Sequence, residues 1–156
     1  MATRGIIARR TADGWEGRYH HWDSYPAGLG KALYDRYQQL KSIKAMTKQL
    51  IDDHPAGWST IVCCDWSHEP GFIENSRDWL GTTAKDRPQC YCHGDRHEPE
   101  QLMTSDDTDT WCEYCYVLYS AGMHDYMDIL ASRSAGWEVV ETVCLDGPEP
   151  AWDQLG

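Results

Sequence analysis

Cys90-Tyr91-Cys92-His93 and, nineteen residues intervening between Cys92 and Cys112, Cys112-Glu113-Tyr114-Cys115 are the stretches that decide how this chain is held together. Two close thiol pairs can close around one tetrahedral ion. Four soft thiolates suit zinc, and a site filled by four protein ligands is structural rather than catalytic. The first pair is C-x-C. On an extended segment positions i and i+2 share a face, so Cys90 and Cys92 can chelate together. His93 and His97 are the alternates, giving three cysteines and one histidine if one thiol points elsewhere. The competing reading is a set of small buried thiols in a β core. Cys63 and Cys64, side by side on an expected strand, read as core filler, and Cys144 likewise.

Around these cysteines, residues 67–110 hold few hydrophobic groups and many Gly, Pro, Asp and Glu. So long a poor stretch inside a compact domain needs a staple, and a bound metal is one. The acidic run Asp106-Asp107-Thr108-Asp109 lacks the ligand order of a calcium loop and reads as solvated. Downstream, β signal returns in Cys112 to Tyr119. A turn at Ser120-Ala121-Gly122, a run from Asp125 to Leu130 and a third from Trp137 to Leu145 predict a meander, with the middle run also compatible with helix. Upstream, Arg4 to Arg10, the turn signal Asp13-Gly14 and Trp15 to Trp22 predict a β-hairpin. Leu29, Leu33, Tyr37 and Leu40 then fall on one helical stripe. Ser42 can cap a second helix carrying Ile43, Met46 and Leu50, which Pro55 stops. Trp58 to Trp66 reads as a strand. The expectation is an α+β fold in a single domain, 1–156: an N-terminal β-hairpin, an antiparallel helix pair and a C-terminal antiparallel β-meander stapled by a cysteine-rich metal-binding loop.

A chain of 156 residues with 41% hydrophobic residues has material for one real core. Seven cysteines, an odd number, with no leader-like apolar stretch in residues 1–10 and no run of membrane length, predict a cytoplasmic, reducing setting without a membrane partner. The net charge of −11 divides into +5 over residues 1–50 and −16 over the remainder. Such asymmetry marks an anion site at the basic end, a basic partner at the acidic end, or one end docking on the other in a homodimer, unless both are simply solvated faces. It argues against nucleic acid as a partner. The basic stripe Lys41, Lys44 and Lys48, spaced for one helix face, is the exception to that argument.

The densest cluster of functional side chains is Tyr19-His20-His21-Trp22-Asp23. On an extended segment Tyr19, His21 and Asp23 share a face that could orient an imidazole for acid–base work or hold a second metal, although a strand-end hydrogen bond followed by a helix cap accounts for the same residues. Directly after it, Gly28 and Gly30 open a helix and Lys31 follows, which favours phosphate, while the glycines equally permit tight helix packing. Eight tryptophans and nine tyrosines against one phenylalanine supply aromatic rings with polar handles, the residues of interfaces and base-stacking platforms as well as of cores.

The segments Thr3-Arg4-Gly5-Ile6-Ile7-Ala8, Gly17 to Gly30, His54-Pro55-Ala56-Gly57-Trp58-Ser59 and Cys90-Tyr91-Cys92-His93-Gly94 resemble a set of small proteins common in actinobacteria, their phages and prophages, over about residues 3 to 119. In that set the second cysteine pair is less regular than the first, which implies a larger role for His93 or His97. The resemblance also implies an accessory protein that binds a host factor or a nucleotide signal. The expected function is thus a zinc-stabilised, non-enzymatic interaction protein modulating a host or defence protein. The alternative is a site that binds or hydrolyses a phosphorylated nucleotide at Tyr19, His21, Asp23, Gly28, Gly30 and Lys31.

Overall fold

The computed structural model describes residues 2–72, 87–94, 96–107 and 110–155. Its strands are β1 (Gly5–Arg10), β2 (Trp15–His20), β3 (Trp58–Thr60), β4 (Gln89–Cys90), β5 (Met103–Thr104), β6 (Tyr114–Ala121), β7 (His124–Arg133) and β8 (Gly136–Cys144). All eight join one sheet of order β4-β3-β2-β1-β6-β7-β8, with β5 also pairing to β2.

The hairpin forms as its pattern requires. β1 and β2 run antiparallel from Gly5↔His20 to Arg10↔Trp15, and Thr11 N donates to Gly14 O at 2.8 Å across the turn. Ile6, Ile7 and Ala8 are consecutive and all buried, which is what a central strand covered on both faces needs. On its other side β1 lies parallel to β6, Gly5↔Tyr114 through Arg9↔Leu118. β6, β7 and β8 follow as the antiparallel meander, so the middle run is a strand.

Between β2 and β3 the chain makes the two helical segments. Pro26–Gly30 wind as a π-helical turn into α1 (Lys31–Leu40), which ends at Lys41 in the left-handed region, φ 54°. Ser42 Oγ accepts from Ala45 N at 3.1 Å and starts α2 (Ile43–Thr47), continued by a π-helical turn Lys48–Asp52. Leu29, Leu33, Tyr37, Met46 and Leu50 pack with Ile7, Tyr116, Leu118, Met127 and Ile129 on one face of the sheet. A smaller cluster, with Ile6, Ala8, Trp15, Met103, Val117 and Leu130, covers the other. Each face follows from the period-2 alternation along β1 and β6.

Three local expectations change. The strand begun at Trp58 stops at Thr60, not Trp66: Val62 N turns back onto Thr60 Oγ1 at 3.0 Å, and Cys63 and Trp66 take φ of 61° and 62°. Cys63 is therefore exposed and Cys64 half-buried, rather than core filler, and Cys144 at the end of β8 is half-buried too. Finally, the left-handed Lys41 breaks the helix, so Lys41 does not share one helical face with Lys44 and Lys48. Of the acidic run, Asp106 and Asp107 are exposed, and Asp107 Oδ2 accepts from Thr104 N at 2.7 Å; positions 108 and 109 lie outside the described residues. Among the described residues no helix is long and apolar enough to cross a membrane.

Candidate metal centre

His54 leaves the end of the second helical segment, where Asp53 N closes onto Lys48 O at 2.8 Å. Gly57 N donates to His54 O at 3.1 Å, making a tight turn whose glycine has φ 88° and abuts Tyr19 of β2, where a Cβ would stand 2.7 Å from the Tyr19 carbonyl oxygen. That turn delivers Trp58 to β2 and leaves the His54 ring tilted at 47° against the Trp58 indole, centroids 4.6 Å apart. Cys90 pairs with Trp58 across β3 and β4, and Tyr91 N donates to Gly57 O at 3.0 Å. The chain then reverses through Cys92 and His93 to Gly94, φ 75°, whose backbone lies hard against Phe72.

The result is a four-membered group. His54, Cys90, Cys92 and His93 each offer one ligand atom, all within 4.8 Å of one another. Cys92 Sγ is 3.6 Å from His54 Nδ1 and 3.1 Å from His93 Nδ1, and Cys90 Sγ is 3.5 Å from His93 Nδ1. In a tetrahedron with metal–sulfur near 2.3 Å and metal–nitrogen near 2.0 Å, each sulfur–nitrogen edge is about 3.5 Å. Hydrogen bonding alone fits less well: a thiol has one proton, and Cys92 faces two ring nitrogens while Cys90 competes for one of them.

Cys90 and His54 are buried, Cys92 is half-buried and His93 exposed. Burial, and after it the neighbouring Cys92, pushes the Cys90 thiol well up, and burial followed by His93 pushes His54 down to about 4. The imidazole is thereby kept in its ligating, neutral form. A cation bound here would supply the charge that lets the thiols ionise. This Cys/His group can hold a metal ion.

The structure brings Cys90, Cys92 and His93 together as expected, and adds His54. It does not bring Cys112 or Cys115 to them. Cys115 is fully buried on the opposite sheet face beside Ile6 and Val117, and the Cys112 thiol reaches Gly5 O at 3.7 Å. Alternation places Cys115 on the face away from Tyr116 and Leu118. β6 also stands four strand positions from β4, roughly 19 Å at about 4.8 Å per strand. His97, exposed with φ 50°, is outside the group as well. His54 carries no local spacing signal and was marked only by its place in the His54-to-Ser59 segment.

The second set of candidate residues is divided. Tyr19 Oη and His21 Nδ1 are 2.5 Å apart and line a cleft of about 680 Å³. Asp23 is exposed, and its carbonyl accepts from Leu29 N at 2.9 Å. Gly28 is pressed on that carbonyl and Gly30 on the Trp152 ring, so both glycines serve packing. Lys31 Nζ pairs with Asp35 at 3.1 Å and Glu149 at 3.3 Å, away from Tyr19 and His21. A further exposed group lies at the end of the meander: Asp146 accepts from the Cys144 thiol at 2.9 Å and bonds His124 Nδ1 at 3.1 Å.

Comparison of the chain with protein-family models, with curated proteins and with solved structures finds no match.

Proposed function

We propose that this chain is a zinc-stabilised, non-enzymatic interaction protein, with zinc held by His54, Cys90, Cys92 and His93. The observation that carries this reading is the convergence of two thiols and two imidazoles at near-tetrahedral spacings. Two sulfurs and two ring nitrogens, without an oxygen ligand, favour zinc over a hard cation. Four protein ligands leave no open position for a substrate, so the ion's task is structural. It joins the end of the helical pair to the two-residue edge strand β4 and the turn beyond it, which have little hydrophobic material of their own.

Interaction is supported by the other edge of the sheet. Among the described residues β8 pairs on one side only, over nine residues, and presents Val139 at 54% exposure; Met123, 94% exposed, lies on the β6–β7 turn. A long open edge presenting an apolar side chain is a template for strand addition by a partner. The resemblance to phage and prophage proteins supports a host or defence factor as that partner.

Protein purified without added metal is expected to contain one zinc per chain by elemental analysis. Cys92→Ser and His54→Ala should each lose it together with a large part of the thermal stability, since structural zinc contributes on the order of 10 kcal/mol. A folded wild-type sample with no metal sinks the zinc reading. For the interaction, a partner captured and reconstituted from pure components should be released by Val139→Lys; retention by that variant removes β8 from the account.

A further inference from the structure

The cleft beside Tyr19 and His21 lies apart from the metal centre and shares none of its ligands. Its walls combine three chemistries. Arg4 is half-buried and hydrogen-bonds Tyr19, with no salt bridge to a carboxylate among the described residues, and a guanidinium held partly out of water at a cleft wall favours an incoming anion. Its charge bears on Tyr19, His21 and Cys112 alike; Arg96, over the Tyr91 ring at 5.1 Å and paired with Glu98 at 2.7 Å, lies outside this cleft, in the neighbouring pocket that shares Tyr19 and His21.

The flat surfaces come next. Trp111 stands 85% exposed at the rim, and Tyr19 and His21 form the wall. A fully presented indole in a concave, cationic setting is a stacking platform for a planar ring. Gln101, whose backbone is pinned by Pro55 O and by Arg18, and Thr110 place hydrogen-bonding groups at the same rim. The volume, about 680 Å³, is that of a small-molecule site.

We propose that this cleft binds a free nucleotide, a nucleoside mono- or diphosphate, with the phosphate on Arg4 and the base against Trp111. Size and charge separate a free nucleotide from a nucleic-acid strand. A mono- or diphosphate brings few charges and places them at Arg4. A strand would carry its charged backbone across a surface where residues 51–156 sum to −16. The site also revises the composition of the 19–31 candidate: Tyr19 and His21 stay, Arg4 and Trp111 enter, and Asp23, Gly28, Gly30 and Lys31 leave.

The test is isothermal calorimetry on the full chain with the metal it retains from purification, using AMP, ADP, the other common nucleoside mono- and diphosphates, inorganic phosphate and a single-stranded ten-mer. At least one nucleotide is expected to bind. Arg4→Gln and Trp111→Ala should each weaken it about 10- to 100-fold, as expected for loss of a charge-assisted contact or a stacked base. Lys44→Gln, outside the cleft, should leave it unchanged. Trp111→Ala alters an exposed side chain, so its effect is separable from misfolding. Silence of every nucleotide at about 1 mM against folded protein, binding that both cleft variants leave intact, phosphate binding as tightly as AMP, or the ten-mer binding more tightly than any nucleotide would each overturn the proposal. Loss of zinc from the preparation, tested separately, bears on the metal centre and not on this result.

Discussion

At the scale of single residues, His20 is the clearest case of a side chain whose role is set by its surroundings. It is fully buried at the end of β2, with Nδ1 2.9 Å from Ser24 Oγ and Nε2 accepting from Ile61 N at 3.1 Å. Because Nε2 must accept from an amide, the proton sits on Nδ1 and is donated to Ser24, whose hydroxyl donates in turn to His20 O at 3.1 Å. Every polar atom of the pair is satisfied only while the ring is neutral. Burial, and after it His21, pushes His20 down to about 3. The unfolded chain takes up this proton near the ordinary value of 6.5 and the native chain does not until about 3, so the unfolded state binds more protons in between. The stability that His20 contributes is complete above pH 6.5 and falls by about tenfold in the folding equilibrium per pH unit down to about pH 3. Urea denaturation across that range should show the decline. His20→Gln should be less stable by about 1–3 kcal/mol at neutral pH and show a flatter acid limb; an unchanged limb would place the titration elsewhere.

At the scale of elements, the candidate metal centre depends on two tight reversals and one short strand pair. Gly57 and Gly94, both in the left-handed region, let the His54 turn and the Cys92–His93 turn approach β2 and Phe72 closely. Within Cys90-Tyr91-Cys92 the two thiols join the metal group, whereas Tyr91 lines a smaller pocket next to Tyr19 and His21, so one short turn serves both regions. The C-x-C pair was legible because its two thiols are near neighbours in sequence, although the thiols meet through the bend after β4 rather than by strand alternation. The companion ligand was not, because His54 reaches the group through the packing of the helical segment on β3. Cys112 and Cys115 illustrate the converse, since their spacing suits a metal but their strand turns them into the second core. Cys115→Ser should therefore keep the zinc stoichiometry of the wild type while losing about 1–3 kcal/mol, the cost of a hydroxyl in an apolar site. Elemental analysis alongside thermal denaturation reads both, and loss of zinc in this variant would return Cys115 to the metal set.

At the scale of the molecule, the sheet divides the work. One face carries the helical pair and the larger core, the other a smaller cluster flanked by the Arg4–Trp111 cleft, and the outer edges hold the metal group and the open β8. Charge is distributed with the same unevenness. Several of the basic residues in the first fifty are already matched: Arg9 with Glu16 and Asp52, Lys31 with Asp35 and Glu149, and Lys48 with Asp53. With Lys41 turned out of the helix register, little concentrated positive surface remains for a polyanion. A mobility-shift titration with random duplex and single-stranded oligonucleotides at near-physiological salt is expected to show no submicromolar complex. A complex that survived such salt would overturn this expectation and return Lys44 and its neighbours to the functional account.

The sequence by itself determined what depends on near neighbours. The hairpin is specified by Asp13-Gly14 between two β runs, the helix pair by the Leu29-Leu33-Tyr37 stripe and the Ser42 cap, and the outer strands of the meander by their β runs, the middle run being fixed as a strand by its pairing on both sides. Apart from that middle run, all of these are set within a few residues by backbone sterics and side-chain periodicity. The tertiary structure alone decided the parallel pairing of β1 with β6, and with it the face on which each cysteine lies. It also decided the arrival of His54 at the thiols and the meeting of Arg4 with Trp111 across most of the chain's length. These contacts join residues far apart in sequence, and their existence depends on which strands become neighbours. No local pattern records that choice, because it is made by the burial of whole faces against one another.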